Sequence, residues 1–206
     1  MSIVKKYGIF FLLLAFSSKA FSQVLIEDTT TREPFFKATR FNSKFYVGAE
    51  GMGTQILKTQ GAMITGFSLN WVINHRFVVT AMYQALSTPT NIQSIVEPGN
   101  LPSVRLIHQF GGLGLGYILF DKKLFSFQPE LMSGWGGAQY TVSNVTYRSN
   151  FGEIIPVVYG IYNATKFFRL GIGLNYRAAV GASLNGLKSA DISGISGLVF
   201  IRVGTF

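Results

Sequence analysis

The chain has 206 residues, no cysteine and a formal net charge of +9 at pH 7. Because no disulfide can form, a stable fold requires an apolar core, a closed hydrogen-bonded sheet or a membrane. The basic residues are scattered along the chain and form no cluster, which argues against nucleic acid as a partner.

Residues 1–22 have the three parts of a secretory signal peptide. Lys5 and Lys6 form a positive n-region, an apolar run follows as far as Phe16, and Ala20-Phe21-Ser22 offers a cleavage site. The apolar run is about ten residues long, whereas a membrane-spanning helix needs roughly 20. We therefore expect a cleaved signal and an exported protein.

Residues 23–42 have no clear periodicity and contain Pro34, which predicts an irregular N-terminal periplasmic segment. From Ser43 onward, apolar and polar or glycine residues alternate, and this period of two predicts β-strands. We expect eight strands, at about 43–52, 60–73, 76–86, 104–120, 123–137, 151–162, 166–180 and 191–205.

The glycine-rich run at 111–116 (GGLGLG) belongs to the fourth predicted strand. A dinucleotide-binding loop would need a third glycine where Tyr117 stands, and a helix start after it. Alternation instead places Gly112, Gly114 and Gly116 on one face of a strand. In the sixth predicted strand, the more apolar face carries four large side chains: Ile155, Val157, Tyr159 and Ile161.

Short and long connections alternate along the chain. The short ones are Asn74-His75, Asp121-Lys122 and Asn163-Ala164-Thr165, and the longer ones lie at about 53–59, 87–103, 138–150 and 181–190. Outer-membrane barrels have short periplasmic turns and longer external loops. Residues 43–206 are therefore predicted to form an all-β, eight-stranded antiparallel up-and-down transmembrane β-barrel, with apolar faces outward and polar faces inward. A soluble sandwich or lipocalin-like barrel is the alternative.

These segments resemble small outer-membrane barrels of the OmpA, OmpX and OmpW kind, and the short "outer membrane protein beta-barrel domain" proteins that include PorT-like members. The resemblance covers residues 43–206. It rests on the AFSQ signal end, on strands such as LGIGLNYR at 170–177, and on Phe206 at the C-terminus. It implies location in the cell outer membrane and a last strand read by the assembly machinery. The parity of that strand favours Arg202 inward, which would also turn Phe206 inward.

The interior of an eight-stranded barrel is just wide enough for side chains to fill. We therefore predict a structural polar network in the lumen, formed by Glu50, Glu130, Arg169 and Arg177. Within it, Glu130 and Arg177 are the expected pair, with Glu50 as the other candidate partner of Arg177. A gated polar pathway is the alternative. The glycines at 112, 114 and 116 are expected to make room for inward groups such as Arg177.

The two histidines, His75 and His108, lie far apart in the sequence and indicate no catalytic, metal or cofactor site. The 87–103 loop carries Ile92, Ile95 and Val96, a possible partner-docking surface or simply a self-packed loop. We expect a non-catalytic barrel with a structural or partner-binding role, such as an accessory subunit of a larger outer-membrane complex. Its partners would be outer-membrane lipid and other outer-membrane or periplasmic proteins. The alternatives are a barrel that binds or passes a small ligand and, less favoured, a lipid-modifying enzyme.

Overall fold

The computed structural model describes residues 43–56, 60–88, 90–91, 104–120, 124–142, 144–184 and 187–205. The strands are β1 (Ser43–Ile56), β2 (Gln60–Ile73), β3 (Phe77–Leu86), β4 (Thr90–Asn91), β5 (Arg105–Tyr117), β6 (Phe125–Val142), β7 (Val145–Asn163), β8 (Phe168–Val180), β9 (Ser183–Leu184), β10 (Leu187–Lys188) and β11 (Gly194–Gly204). A one-turn helix, α1 (Ser189–Ile192), precedes β11. The predicted signal peptide and N-terminal segment lie outside the described residues. Among the described residues, no helix is both long and apolar enough to cross a bilayer.

Eight long strands form a closed antiparallel barrel. Each long strand pairs with the next long strand in sequence, and β1 also pairs with β11 from Tyr46↔Gly204 to Thr54↔Ser196. The pairing of β3 with β5 completes the ring. A closed ring leaves none of the long strands with a free edge. The predicted all-β, eight-stranded, up-and-down barrel is therefore confirmed, and its first strand begins at the predicted Ser43.

One end of the barrel, which we call the turn end, carries the tight connections. Asn74 and His75 both have positive φ, 51° and 62°, as a type I′ hairpin turn requires. The amide of Arg76 donates to the carbonyl of Ile73 at 3.2 Å and closes that turn. At the β7–β8 turn, the amide of Thr165 donates to the carbonyl of Phe168 at 3.1 Å. The Asp121-Lys122 turn lies outside the described residues.

The opposite end, which we call the loop end, differs from the prediction. The expected long loop at 138–150 is wrong, because β6 continues to Val142 and β7 starts at Val145, with Gln139↔Arg148 and Tyr140↔Tyr147 in register. The strands keep their alternation there, but their outward residues become polar, which the sequence pattern cannot tell from a loop. The 181–190 connection contains β9, β10 and α1. The contrast between short and long connections is therefore weaker than predicted.

Alternation sets which side chains enter the lumen. Burial follows the even-numbered residues of β1, β2, β3, β5, β6 and β11 and the odd-numbered residues of β7 and β8. Arg202 is buried in the lumen as expected, whereas Phe206 lies outside the described residues.

In β7 the more apolar face points inward and not to the outside. Val157 is directly opposite Glu130 of β6, and opposed residues of antiparallel strands share a face. Ile155, Tyr159 and Ile161 therefore line the lumen with Val157, and all four are buried. The outward face of β7 is apolar as well, so hydrophobicity alone could not assign the faces of this strand.

The close approach of β5 and β6 generates a stability prediction. Gly112 is directly opposite Gly134, and a Cβ on Gly134 would overlap the carbonyl of Gly111 and lie 2.5 Å from the Cα of Gly112. A Cβ on outward-facing Gly53 would meet nothing within 4 Å. We expect Gly134→Ala to lower the free energy of unfolding by about 1–3 kcal/mol, because the backbones must move apart. We expect Gly53→Ala to cause no loss.

Both variants would be refolded into lipid vesicles and titrated with denaturant, with the heat-dependent gel shift as a check on folding. Equal stability of the two variants would contradict the close packing of β5 on β6.

Candidate functional site

Side chains fill the lumen in layers that alternate between apolar and polar. From Tyr46 onward, the inward residues of β1 show the order from the turn end to the loop end: Tyr46, Gly48, Glu50, Met52, Thr54 and Ile56. Tyr46, Met52 and Ile56 each belong to a separate apolar cluster. Glu50 and Thr54 belong to the two polar layers between these clusters, which we call the turn-side and the loop-side polar cluster.

Arg202 lies at the centre of the turn-side polar cluster. Its guanidinium carbon is 4.4 Å from the ring centroid of Phe200, 4.5 Å from that of Tyr159 and 5.2 Å from that of Tyr46. Its Nη1 donates to Oε1 of Gln128 at 2.8 Å. Three aromatic faces and an amide oxygen therefore replace the water that a buried guanidinium loses.

Two carboxylates lie within electrostatic range of Arg202. Glu130 and Glu50 both attract Arg202 electrostatically. Oε2 of Glu130 accepts a hydrogen bond from Nε2 of Gln128 at 2.7 Å, so Gln128 bridges the acid and the arginine. Oε1 of Glu50 accepts from Nε2 of Gln84 at 2.8 Å. Arg169 is directly opposite Arg202 on β8, on the same face.

The glycines of β5 make room for Glu130. A Cβ on Gly114 would overlap Oε1 of Glu130, and one on Gly116 would lie 3.2 Å from the Cβ of Glu130. The expectation that glycines of this strand make room for inward groups is therefore confirmed at Gly114 and Gly116, but the group beside them is Glu130 and not Arg177.

Arg177 belongs to the loop-side polar cluster. Its Nε donates to the carbonyl of Ile192 in α1 at 3.0 Å, and its Nη2 donates to Oγ1 of Thr54 at 3.4 Å. Glu153 attracts it electrostatically and also contacts Nε2 of His108 at 2.6 Å. The structure therefore does not bring Glu130 and Arg177 together.

Sequence reasoning missed two members of these clusters as network partners. Glu153 shares its parity with Ile155 on β7, so assigning that apolar face to the outside removed Glu153 from the lumen. Arg202 was placed inward without a partner, because the neighbours of a side chain across a barrel depend on the strand register. The sequence signal that could have placed Arg202 in the polar network was its inward parity on β11, the strand that closes the barrel.

Other candidate residues give no composite site. His75 lies in the β2–β3 turn, and His108 is buried in the lumen. Within the described part of the chain, no group of three or more His, Asp or Glu side chains could hold a metal ion. Ile92, Ile95 and Val96 lie outside the described residues, so the docking loop stays a prediction.

No protein-family model and no curated protein matches the chain. Among solved structures it is similar to Neisserial surface protein A, with a TM-score of 0.62 and 14% identity over 80% of this chain and 99% of that one. A major outer membrane protein from Thermus thermophilus gives 0.56 and 10% identity over 79% and 99%. The fold is that of the small outer-membrane β-barrels.

The attachment invasion locus protein Ail of Yersinia pestis shares this fold. In complex with the heparin analogue sucrose octasulfate, Ail gives a TM-score of 0.51 and 9% identity over 82% of this chain and 100% of that one. At such identities the likeness concerns the fold alone. The role of this chain must therefore be inferred from its own residues.

The turn-side polar cluster predicts an energetic coupling between Glu130 and Arg202. Arg202→Met leaves two buried carboxylates with Arg169 as the remaining cation of the turn-side polar cluster, so that their charges are no longer fully compensated, and it should cost about 3–5 kcal/mol of unfolding free energy. Adding Glu130→Gln removes one of those uncompensated charges. The double variant should therefore lose less than the sum of the single losses, by about 0.5–3 kcal/mol.

The matched control is the same cycle with Arg177→Met in place of Arg202→Met. Because Arg177 lies in the other polar cluster, its loss should add to that of Glu130→Gln within about 0.5 kcal/mol. Denaturant titration in lipid vesicles measures both cycles. Coupling of Glu130 to Arg177 but not to Arg202 would contradict the observed arrangement.

Proposed function

We propose that the chain is an integral outer-membrane β-barrel with a filled lumen and a non-catalytic, structural or partner-binding role. The observation that carries this proposal is the reversal of the usual distribution of charge. Glu130, Arg169 and Arg202 are buried inside, while large apolar side chains cover the outside. Leu115, Trp135 and Ile172 are exposed to 70%, 72% and 67%. Lipid is the solvent that suits such a wall.

The height of the apolar wall supports the same proposal. The outward residues of β6 between Phe125 and Trp135 carry no charge, and Gln139 and Thr141 follow toward the loop end. The ten residue steps from Phe125 to Trp135 span roughly 34 Å along a strand. At a tilt of about 45° this gives roughly 24 Å, close to the apolar band of about 25 Å on outer-membrane barrels.

Aromatic pairs surround the turn end of the wall. Phe45 stacks on Trp71 with ring centroids 5.8 Å apart, while Phe77–Tyr117 and Phe125–Tyr162 are 5.1 Å and 5.4 Å apart. Aromatic rings are enriched where a bilayer meets water. The belt supports a membrane–water interface at the turn end, and the tight turns at that end support placing it in the periplasm, which leaves the loop end outside the cell.

The filled lumen supports a role for the outer wall, the rims and the loops. The inward histidine, His108, is held by Glu153 and stacks on Phe151, whose ring centroid is 5.9 Å away. On the turn-end side of this layer, Phe110, Met132 and other buried apolar residues fill the lumen. A protein of this kind would act by presenting surfaces, for example as an accessory subunit of a larger outer-membrane complex. Residues 1–22 would direct its export, and Ile92, Ile95 and Val96 would form a docking loop.

The proposed orientation predicts which residues face the medium. Lys188 lies at the loop end and Lys166 in the β7–β8 turn, and both side chains are exposed. Since the chain has no cysteine, Lys188→Cys and Lys166→Cys each introduce a single thiol. An impermeant maleimide added to whole cells should label Lys188→Cys and leave Lys166→Cys unlabelled until the cells are opened. The reverse pattern would contradict the orientation.

The filled lumen predicts the absence of a porin-like pore. Planar bilayers containing the purified protein should show no large, steady conductance, because side chains occupy every layer of the interior. A porin measured in the same bilayers is the control. A steady conductance of porin size would contradict the proposed role and support the passage of a small solute.

A further inference from the structure

The outward faces of the eight long strands carry only two charged side chains among the described residues. These are Arg105, at the loop end of β5, and Arg148, at the loop end of β7. All other charged residues of these strands have inward parity, and no carboxylate has outward parity. A wall without other charges therefore carries two positive charges near one edge.

The two arginines lie on the same patch of the wall. Gln139 of β6 pairs with Ile107 on one side and with Arg148 on the other. Arg105 precedes Ile107 by two residues and so shares its face. Neighbouring strands are about 4.8 Å apart, which puts the backbones of β5 and β7 roughly 10 Å from each other. The two long side chains can therefore reach one group held over Gln139.

Both guanidiniums are available to a ligand. Their side chains are exposed, and neither makes a hydrogen bond or an ion pair within the described residues. Polar groups adjoin them, since Thr141 and Thr146 share a hydrogen bond of 3.0 Å beside Gln139. Guanidinium groups bind phosphate oxygens through paired N–H donors. The side-chain amide of Gln139 and the hydroxyls of Thr141 and Thr146 can donate further hydrogen bonds.

The height of the patch identifies the kind of phosphate. The patch begins just beyond the apolar wall, four residues above Trp135 on β6 and six residues above Ile154 on β7. Its side chains point sideways from the wall, toward the surrounding leaflet. A ligand anchored in that leaflet would present its headgroup at this level, whereas a soluble polyanion would meet the loop rim first.

We propose that Arg105 and Arg148, together with Gln139, bind the phosphate headgroup of an anionic lipid in the outer leaflet. The site rests on the proposed function, because that function places the loop end outside the cell and the wall in lipid. The patch would fix the depth of the barrel and hold lipid molecules beside the β5–β6–β7 wall.

The test uses the mature protein in phosphatidylcholine nanodiscs doped with bisphosphorylated lipid A or with its dephosphorylated counterpart. Native mass spectrometry would count the lipid that each protein retains. We expect the wild type to prefer the phosphorylated lipid about tenfold or more. Arg105→Gln/Arg148→Gln should lose that preference. Lys166→Gln/Lys188→Gln removes the same charge elsewhere and should keep it.

Equal retention of the two lipids by the wild type, or equal loss of preference in both double variants, would overturn the site. Displacement of the lipid by inorganic phosphate or sucrose octasulfate, at concentrations similar to those of the lipid, would assign the patch to a soluble anion and overturn the lipid assignment. Failure of the wild type to insert into nanodiscs would contradict the proposed function as well. Normal insertion without a preference would contradict this proposal alone.

Discussion

The fixed width of an eight-stranded barrel governs the rest of this structure. Its interior admits side chains but little else, so several of the large inward groups have a glycine beside them. Glu130 occupies the space beside Gly114, and Phe200 the space beside Gly171. A glycine on one strand and a large residue on the neighbouring strand therefore pack together as a pair. The clearest example is the glycine run of β5, which packs against the large inward residues of β6.

The same narrowness determines how charge can be buried. A guanidinium in this interior must replace its water entirely, and Arg202 does so with three aromatic rings, the amide of Gln128 and two nearby acids. Arg177 relies on a backbone carbonyl, Thr54 and the field of Glu153. The apolar layer around Met52 separates the two arrangements. Each polar cluster is therefore neutralised locally, and rearranging either one would also disturb the packing around it.

Local alternation could predict the strands but not the contacts between them. The period of two located all eight strands, and six of them have apolar and polar faces distinct enough to be assigned from the sequence. β11 carries large apolar residues on both faces, so its parity was favoured only by the position of Arg202. β7 is apolar on both faces, so only its register with β6 assigns Val157 to the lumen. The choice of Arg202 over Arg177 as the neighbour of Glu130 also depends on register and strand tilt. The 138–150 segment was misread because strands that leave the apolar layer become polar on their outer face.

Alternation also links the filled lumen to the character of the wall. Because nearly every charge of the long strands is used inside, the outside is left with three zones: aromatic pairs at the turn end, an apolar band, and a polar margin with Arg105 and Arg148. Such a wall is asymmetric along the barrel axis, and an asymmetric wall has one favourable orientation and depth in a bilayer. A guanidinium in the apolar band would cost about 2–4 kcal/mol, a cost that falls towards zero near the interface. The two arginines therefore set a limit on how far the loop end can sink into lipid.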